Sequence, residues 1–206
     1  KPPIRVSMAH TLFYMKKILL ATVTFMSFVF VNAQSIKEEI TLSHERVERL
    51  QRLCDGYQPC GNSNIDGYGD AIKDAAIYSI ANSLQLENFY KRQVGEPVDG
   101  VQDVTVTKPT LEDWNNLSLT IAGEGTKIKE ATDKAQSAGV EASKIAQGVA
   151  SEKNPMKAAK AAKASKTAAA VVQFGSDATP ILLEESAAQL KAIGEIIKTL
   201  QSGDNL

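Results

Sequence analysis

Apolar side chains return every seventh residue at Ile121, Ile128, Ala135, Ala142 and Val149, while Leu117, Ala131, Ala138 and Ile145 fill the offset register. A repeat of that length selects an α-helix with a partner helix, because a strand would alternate every second residue. Alanine in the middle of the seam lets another helix approach closely but buries little area. Glu124 interrupts the seam, and Gly123 and Gly125 flank it. Each glycine costs a helix up to ~1 kcal/mol relative to alanine, so a break is expected there.

Other segments read the same way. Ser35 and Glu38 form a capping-box pattern, followed by Ile36, Ile40, Val47 and Leu50 on one face, with an end expected near Leu53. Asp70 is the expected cap of a second helix whose apolar face is Ile72, Ala76, Ile77, Ile80, Ala81 and Leu84, running to about Tyr90. Glycines and prolines then interrupt the chain up to Pro109. Thr110 and Asp113 supply capping chemistry for the next helix. Asn154-Pro155 ends or kinks it. Gly175 reads as a stop for the alanine- and lysine-rich run after Met156, and Thr179-Pro180 as the start of a last helix. That helix has an apolar stripe of Leu183, Ala187, Leu190, Ile193, Ile197 and Leu200.

The fold class expected is all-α: a helical bundle with long, alanine-rich antiparallel helices and an N-terminal helical hairpin. The organisation expected is an upstream extension over 1–14, a signal peptide over 15–33, and a helical pair with a cysteine loop over 34–93. A linker over 94–110 and a C-terminal bundle over 111–206 follow.

The signal peptide is read from Met15-Lys16-Lys17, a 14-residue apolar run from Ile18 to Val31, and the small-residue site ending at Ala33. A spanning helix needs about 20 residues, so cleavage after Ala33 is expected, with an uncleaved anchor as the rival. From residue 34 onward the chain carries 19 basic and 24 acidic side chains. That mild acidity argues against general nucleic-acid binding. The localisation expected is periplasmic or secreted, with no stable membrane span after cleavage.

In such a compartment Cys54 and Cys60, separated by five residues with Gly56 and Pro59 between them, are expected to form a local disulfide. A redox motif would need closer spacing.

Two segments carry candidate ligand chemistry. Asn62, Asn64, Asp66 and Asp70, with Gly67 at the bend, place oxygen side chains at alternating positions. The segment resembles the start of an EF-hand or dockerin-type calcium loop, which would imply calcium as the single cofactor. It departs from that pattern at Asn62, where an aspartate is usual, and at Lys73, where the last bidentate carboxylate belongs. A capped structural turn uses the same residue types. Lys157, Lys160, Lys163 and Lys166, in an alanine background after Lys153, could meet acidic polysaccharide, anionic lipid or nucleic acid. They have no arginine for bidentate phosphate contacts and no interleaved aromatic for stacking. Glu130, Asp133 and Glu141, or Glu184 and Glu185, are positioned in sequence to neutralise them internally.

No catalytic set emerges. His44 is the one histidine after residue 33 and stands beside Glu45. Trp114 reads as a packing anchor. The function expected is a non-catalytic structural or protein-binding role outside the cytoplasm, with an unknown envelope protein as partner and oligomerisation through the alanine seam. The alternatives are an accessory subunit of an envelope secretion or conjugation apparatus, or a calcium- or ligand-binding module centred on residues 62–70.

Overall fold

Asn62, Thr110 and Asn154 each accept backbone N–H groups of the turn that follows and so set the starts of three helices. A computed structural model describes residues 36–98 and 107–203. The extension, the signal peptide with its cleavage site, the Ser35 cap and residues 99–106 of the expected linker lie outside the described residues. Helices α1 (Ile36–Gly56), α2 (Ser63–Val94), α3 (Leu111–Asp133), α4 (Ala135–Ser151) and α5 (Pro155–Gln201) follow in order, with no strand among the described residues. The fold is all-α.

Several boundaries differ from those expected, each for a local reason. α2 starts seven residues before Asp70, because Asn62 Oδ1 accepts the backbone N–H groups of Asn64 (3.1 Å) and Ile65 (3.2 Å). It ends on Gly95, whose φ of 78° is the left-handed conformation glycine tolerates, with Glu96 N–H returning to Lys91 O at 2.8 Å. Thr110 and Asp113 make the expected capping box at α3. No break occurs at Gly123–Gly125. The interruption falls instead at Lys134, between α3 and α4.

The largest departure is α5. Gly175 does not stop it and Thr179-Pro180 does not start another helix, so it runs for 47 residues, about 70 Å. Pro180 removes the N–H that Ser176 O would have accepted. Tertiary packing holds the helix through this point, since Ala178, Ile181 and Leu182 are buried. Gly175 serves a different purpose: a Cβ there would collide with the ring of Tyr68. The glycine is the socket that lets α2 and α5 approach.

Two apolar clusters fill the interior. One gathers Leu50, Ile65, Tyr68, Ile72, Ile128, Ala138, Val171, Phe174 and Leu182. The other gathers Leu86, Trp114, Leu117, Ile121, Ile193 and Ile196. Phe89 meets the Trp114 ring edge-on at 5.4 Å. Each cluster draws on α2, α3 and α5. The order of cluster residues along each chain segment shows that α2 and α5 run the same way and α3 runs against them.

The apolar faces were displaced from those the pattern predicts. In α2, Ile72 and Ala76 are buried, but Ala81 is exposed and Ile77 and Leu84 are more than half exposed. In α5 the inward line is Leu182, Glu185, Gln189, Ala192 and Ile196, while Ala187 faces solvent. α1 turns Ser43, Arg46, Leu50 and Cys54 inward. The reason lies between the two clusters.

Candidate functional site

At the level separating the two clusters, four of the helices contribute buried polar side chains. α1 gives Ser43 and Arg46, α2 gives Ser79, Asn82 and Ser83, α3 gives Glu124, and α5 gives Glu185 and Gln189. Glu124 and Glu185 have no exposed surface at all. A buried carboxylate must be hydrogen-bonded or neutralised, and the two achieve this differently.

Glu185 is saturated with donors. Arg46 Nε lies 2.5 Å from its Oε2. Ser43 Oγ, Ser83 Oγ (2.6 Å) and Gln189 Nε2 (2.7 Å) approach Oε1. Gln189 Nε2 also reaches Ser83 Oγ at 2.6 Å. Arg46 extends the network outward to Glu39 and, at 3.6 Å, to the half-exposed Glu184. Desolvation works against the Arg46 charge, but the bonds and charges of Glu185 and Glu39 outweigh it and raise its pKa.

Glu124 has no such cation. Asn82 Nδ2 donates to Oε2 at 2.7 Å, while Oε1 has no partner. Burial pushes its carboxyl above the ordinary range. The charge of Glu185 adds to that, while Ser79, Asn82 and Lys127 only partly oppose it. Ser79 Oγ, although close enough to Glu124 to oppose that shift, completes no hydrogen bond of ordinary geometry, and Gln189 Oε1 is likewise unpartnered in the same layer. In its protonated form Glu124 would offer a donor to this acceptor-rich group. The seam position that read as an interruption is therefore an inward residue, between two glycines at which an added Cβ would meet open space.

The predicted site residues are dispersed. Residues 62–70 do not form a calcium-type loop: from Ser63 onward they are helical. Asn62 Oδ1 is the helix cap. The Asp66 carboxylate accepts the N–H groups of Cys60 (2.7 Å) and Gly61 (2.8 Å), and Asp70 accepts the Tyr57 hydroxyl at 2.7 Å. Asn64 is an exposed residue of the first turn. Desolvation acts on Asp66 in the opposite sense, yet the Cys60 and Gly61 donors keep its pKa below the ordinary value. Among the described residues no group of three or more His, Cys, Asp and Glu side chains is placed to hold a metal.

Cys54 and Cys60 are free thiols rather than a disulfide, Cys54 buried and Cys60 half-buried. Burial raises both thiol pKa values. The turn they bracket is shaped by Asp66 and by Tyr57, whose ring packs at 4.8 Å on Phe174. His44 Nε2 meets Glu87 at 2.8 Å on the surface, and Trp114 is buried with Nε1 directed to Gln93 at 3.4 Å.

Lys157, Lys160, Lys163 and Lys166 are all exposed. The acids expected to answer them are engaged elsewhere or free of them: Glu141 pairs with Lys144 at 2.8 Å and Glu185 with Arg46. Among the described residues these four lysines make no ion pair. An open groove of about 570 Å³ between α1 and α5 is lined by Arg49, Arg52, Leu53, Ser176, Asp177, Pro180 and Ile181.

Sequence reasoning missed the polar layer. The available signal was the run Ser79, Asn82, Ser83 repeating at helical spacing inside α2, together with Glu185 and Gln189 one turn apart in α5. The chain matches no protein-family model, no curated protein and no solved structure.

Proposed function

We propose that this is an exported, non-catalytic helical bundle with a structural or protein-binding role in the periplasm or outside the cell. The observation that supports this reading is the complete enclosure of the strongest polar constellation. Glu124 and Glu185 have no surface for a substrate to reach, and their hydrogen-bond partners come from α1, α2 and α5. Such a layer sets helix register and holds one assembly geometry. Work of that kind leaves the outer surface to engage partners.

α2 offers a surface of this type, with Ile77 and Leu84 more than half exposed and Ala81 between them on one outward face. Their spacing, four and then three residues, is that of a helix–helix contact. No helix among the described residues is long and apolar enough to cross a membrane.

The test is cell fractionation with sequencing of the mature N-terminus, followed by cross-linking in the envelope fraction. A mature chain starting at Gln34 with a cross-linked protein that is lost in Ile77→Lys/Leu84→Lys supports the reading. A cytoplasmic chain retaining residues 15–33 overturns it.

A further inference from the structure

Ala138 on α4 is the last buried residue before the chain turns at 152–154, and Ala168 on α5 is the first one after it. Between them, residues 139–167 form a helical hairpin in which no residue is buried, and Val149, Ala158 and Ala161 are only half-covered. This limb carries six lysines and two glutamates, whereas the remainder of the chain from residue 36 carries 13 basic and 22 acidic side chains. The molecule is a basic limb on an acidic body.

Among the described residues no ion pair engages Lys157, Lys160, Lys163 or Lys166, all of which are exposed. A step of three residues advances about 4.5 Å and turns the helix about 300°, so Lys157 to Lys166 climb about 14 Å while fanning across half the circumference. The fan is centred opposite the half-buried Ala158, Ala161 and Ser165. Glu141 is already held by Lys144.

We propose that this fan binds a flexible acidic polysaccharide, a chain bearing carboxylate or sulfate groups. Lysine is a compact point charge that pairs with single anionic groups without the planar fork phosphate recognition favours. The limb has no arginine and no aromatic side chain, which removes bidentate phosphate contacts and base stacking. A charge fan over half a helix suits a polymer that can wrap, and a flat bilayer would reach only part of it. Between the lysines lie Ala159, Ala162 and Ala164, too small to anchor the limb among acyl chains. The acidic body repels polyanions, so contact is confined to the limb. This inference rests on the proposed export only for the identity of the polyanion, because the charge geometry is the same in any compartment.

The experiment uses the purified full chain on immobilised heparin at low salt, with anionic phospholipid vesicles and RNA in parallel. Retention on heparin released by salt is expected, and Lys157→Gln/Lys160→Gln/Lys163→Gln/Lys166→Gln should weaken it by at least about tenfold. A control with the same net charge, Lys129→Gln/Lys134→Gln/Lys191→Gln/Lys198→Gln, should stay within about twofold of the parent. All eight positions are exposed, and circular dichroism confirms that both variants remain helical. No retention, equal loss in both variants, or tighter binding to vesicles or RNA than to heparin overturns the proposal. Failure of export leaves the heparin result unchanged, so the two readings fail separately.

Discussion

Arg46 and Glu185 stand 139 residues apart in the chain, yet the guanidinium Nε of one lies 2.5 Å from the carboxylate of the other in the interior. Arg46 is almost wholly buried and Glu185 wholly so. Removing one partner strands the other charge, whereas replacing both with apolar groups removes the desolvation cost as well. Arg46→Ala is therefore expected to cost about 3–5 kcal/mol in urea denaturation. Arg46→Met/Glu185→Leu should recover most of that loss. If the double variant is as unstable as the single one, the ion pair is a net source of stability.

Glu124 gives the protein a pH dependence opposite in sign to that of an ion-paired acid. Burial and the neighbouring Glu185 charge raise its folded pKa above the ordinary 4.5. Its contribution is thus fully present below the unfolded value and is lost as pH rises through the folded one. Glu124→Gln, which keeps the shape and cannot ionise, should match the parent in acid and exceed it by about 1–3 kcal/mol once pH has passed that value. Denaturation midpoints for both proteins from pH 4 to 8 would show the divergence, and superimposable profiles would contradict it.

Gly175 is expected to be intolerant of the smallest side chain. Alanine is normally favoured over glycine inside a helix by roughly 1 kcal/mol. Here the added Cβ would strike the Tyr68 ring, and overpacking of this kind costs about 1–3 kcal/mol. Gly175→Ala should lower the thermal midpoint, and Gly175→Ala/Tyr68→Phe should not restore it, because the collision includes ring carbons. Gly148→Ala, at a position with open space around it, should be neutral or stabilising.

The turn between α1 and α2 is predicted to depend on Asp66 rather than on the thiols. Its carboxylate holds the Cys60 and Gly61 N–H groups. Asp66→Ala should cost about 1–2 kcal/mol, while a reductant should leave the thermal midpoint of the parent unchanged. Because its folded pKa is lowered, the Asp66 contribution is present above the ordinary aspartate value and is lost as pH falls through the folded one. A reductant-dependent midpoint would place a disulfide in the folded protein.

Helix was legible because its signals are local. The Thr110–Asp113 box acts within one turn and is found in the fold, and the helix before Asn154-Pro155 ends as that pair implies. The faces were less legible. Counting only apolar residues put Ile77, Leu84 and Ala187 inside, while Ser83, Glu185 and Gln189 took those places. Hydrophobicity cannot identify a polar residue whose partners lie on other helices. The 62–70 segment was ambiguous for a related reason: asparagine and aspartate serve equally as ligands, caps and clamps, and their neighbours decide among these.

The amino-acid sequence by itself determined that this chain is helical, roughly where several helices start, and that from residue 36 onward one stretch is basic while the rest is acidic. These follow from backbone propensity, capping and composition, which need no distant contact. Only the tertiary structure decided which side of each helix faces inward, that Pro180 lies within a continuous helix, and that Glu124 belongs to the core. Each of those outcomes depends on groups brought together from far along the chain, and the free energy of pairing or burying them exists only once the helices have packed.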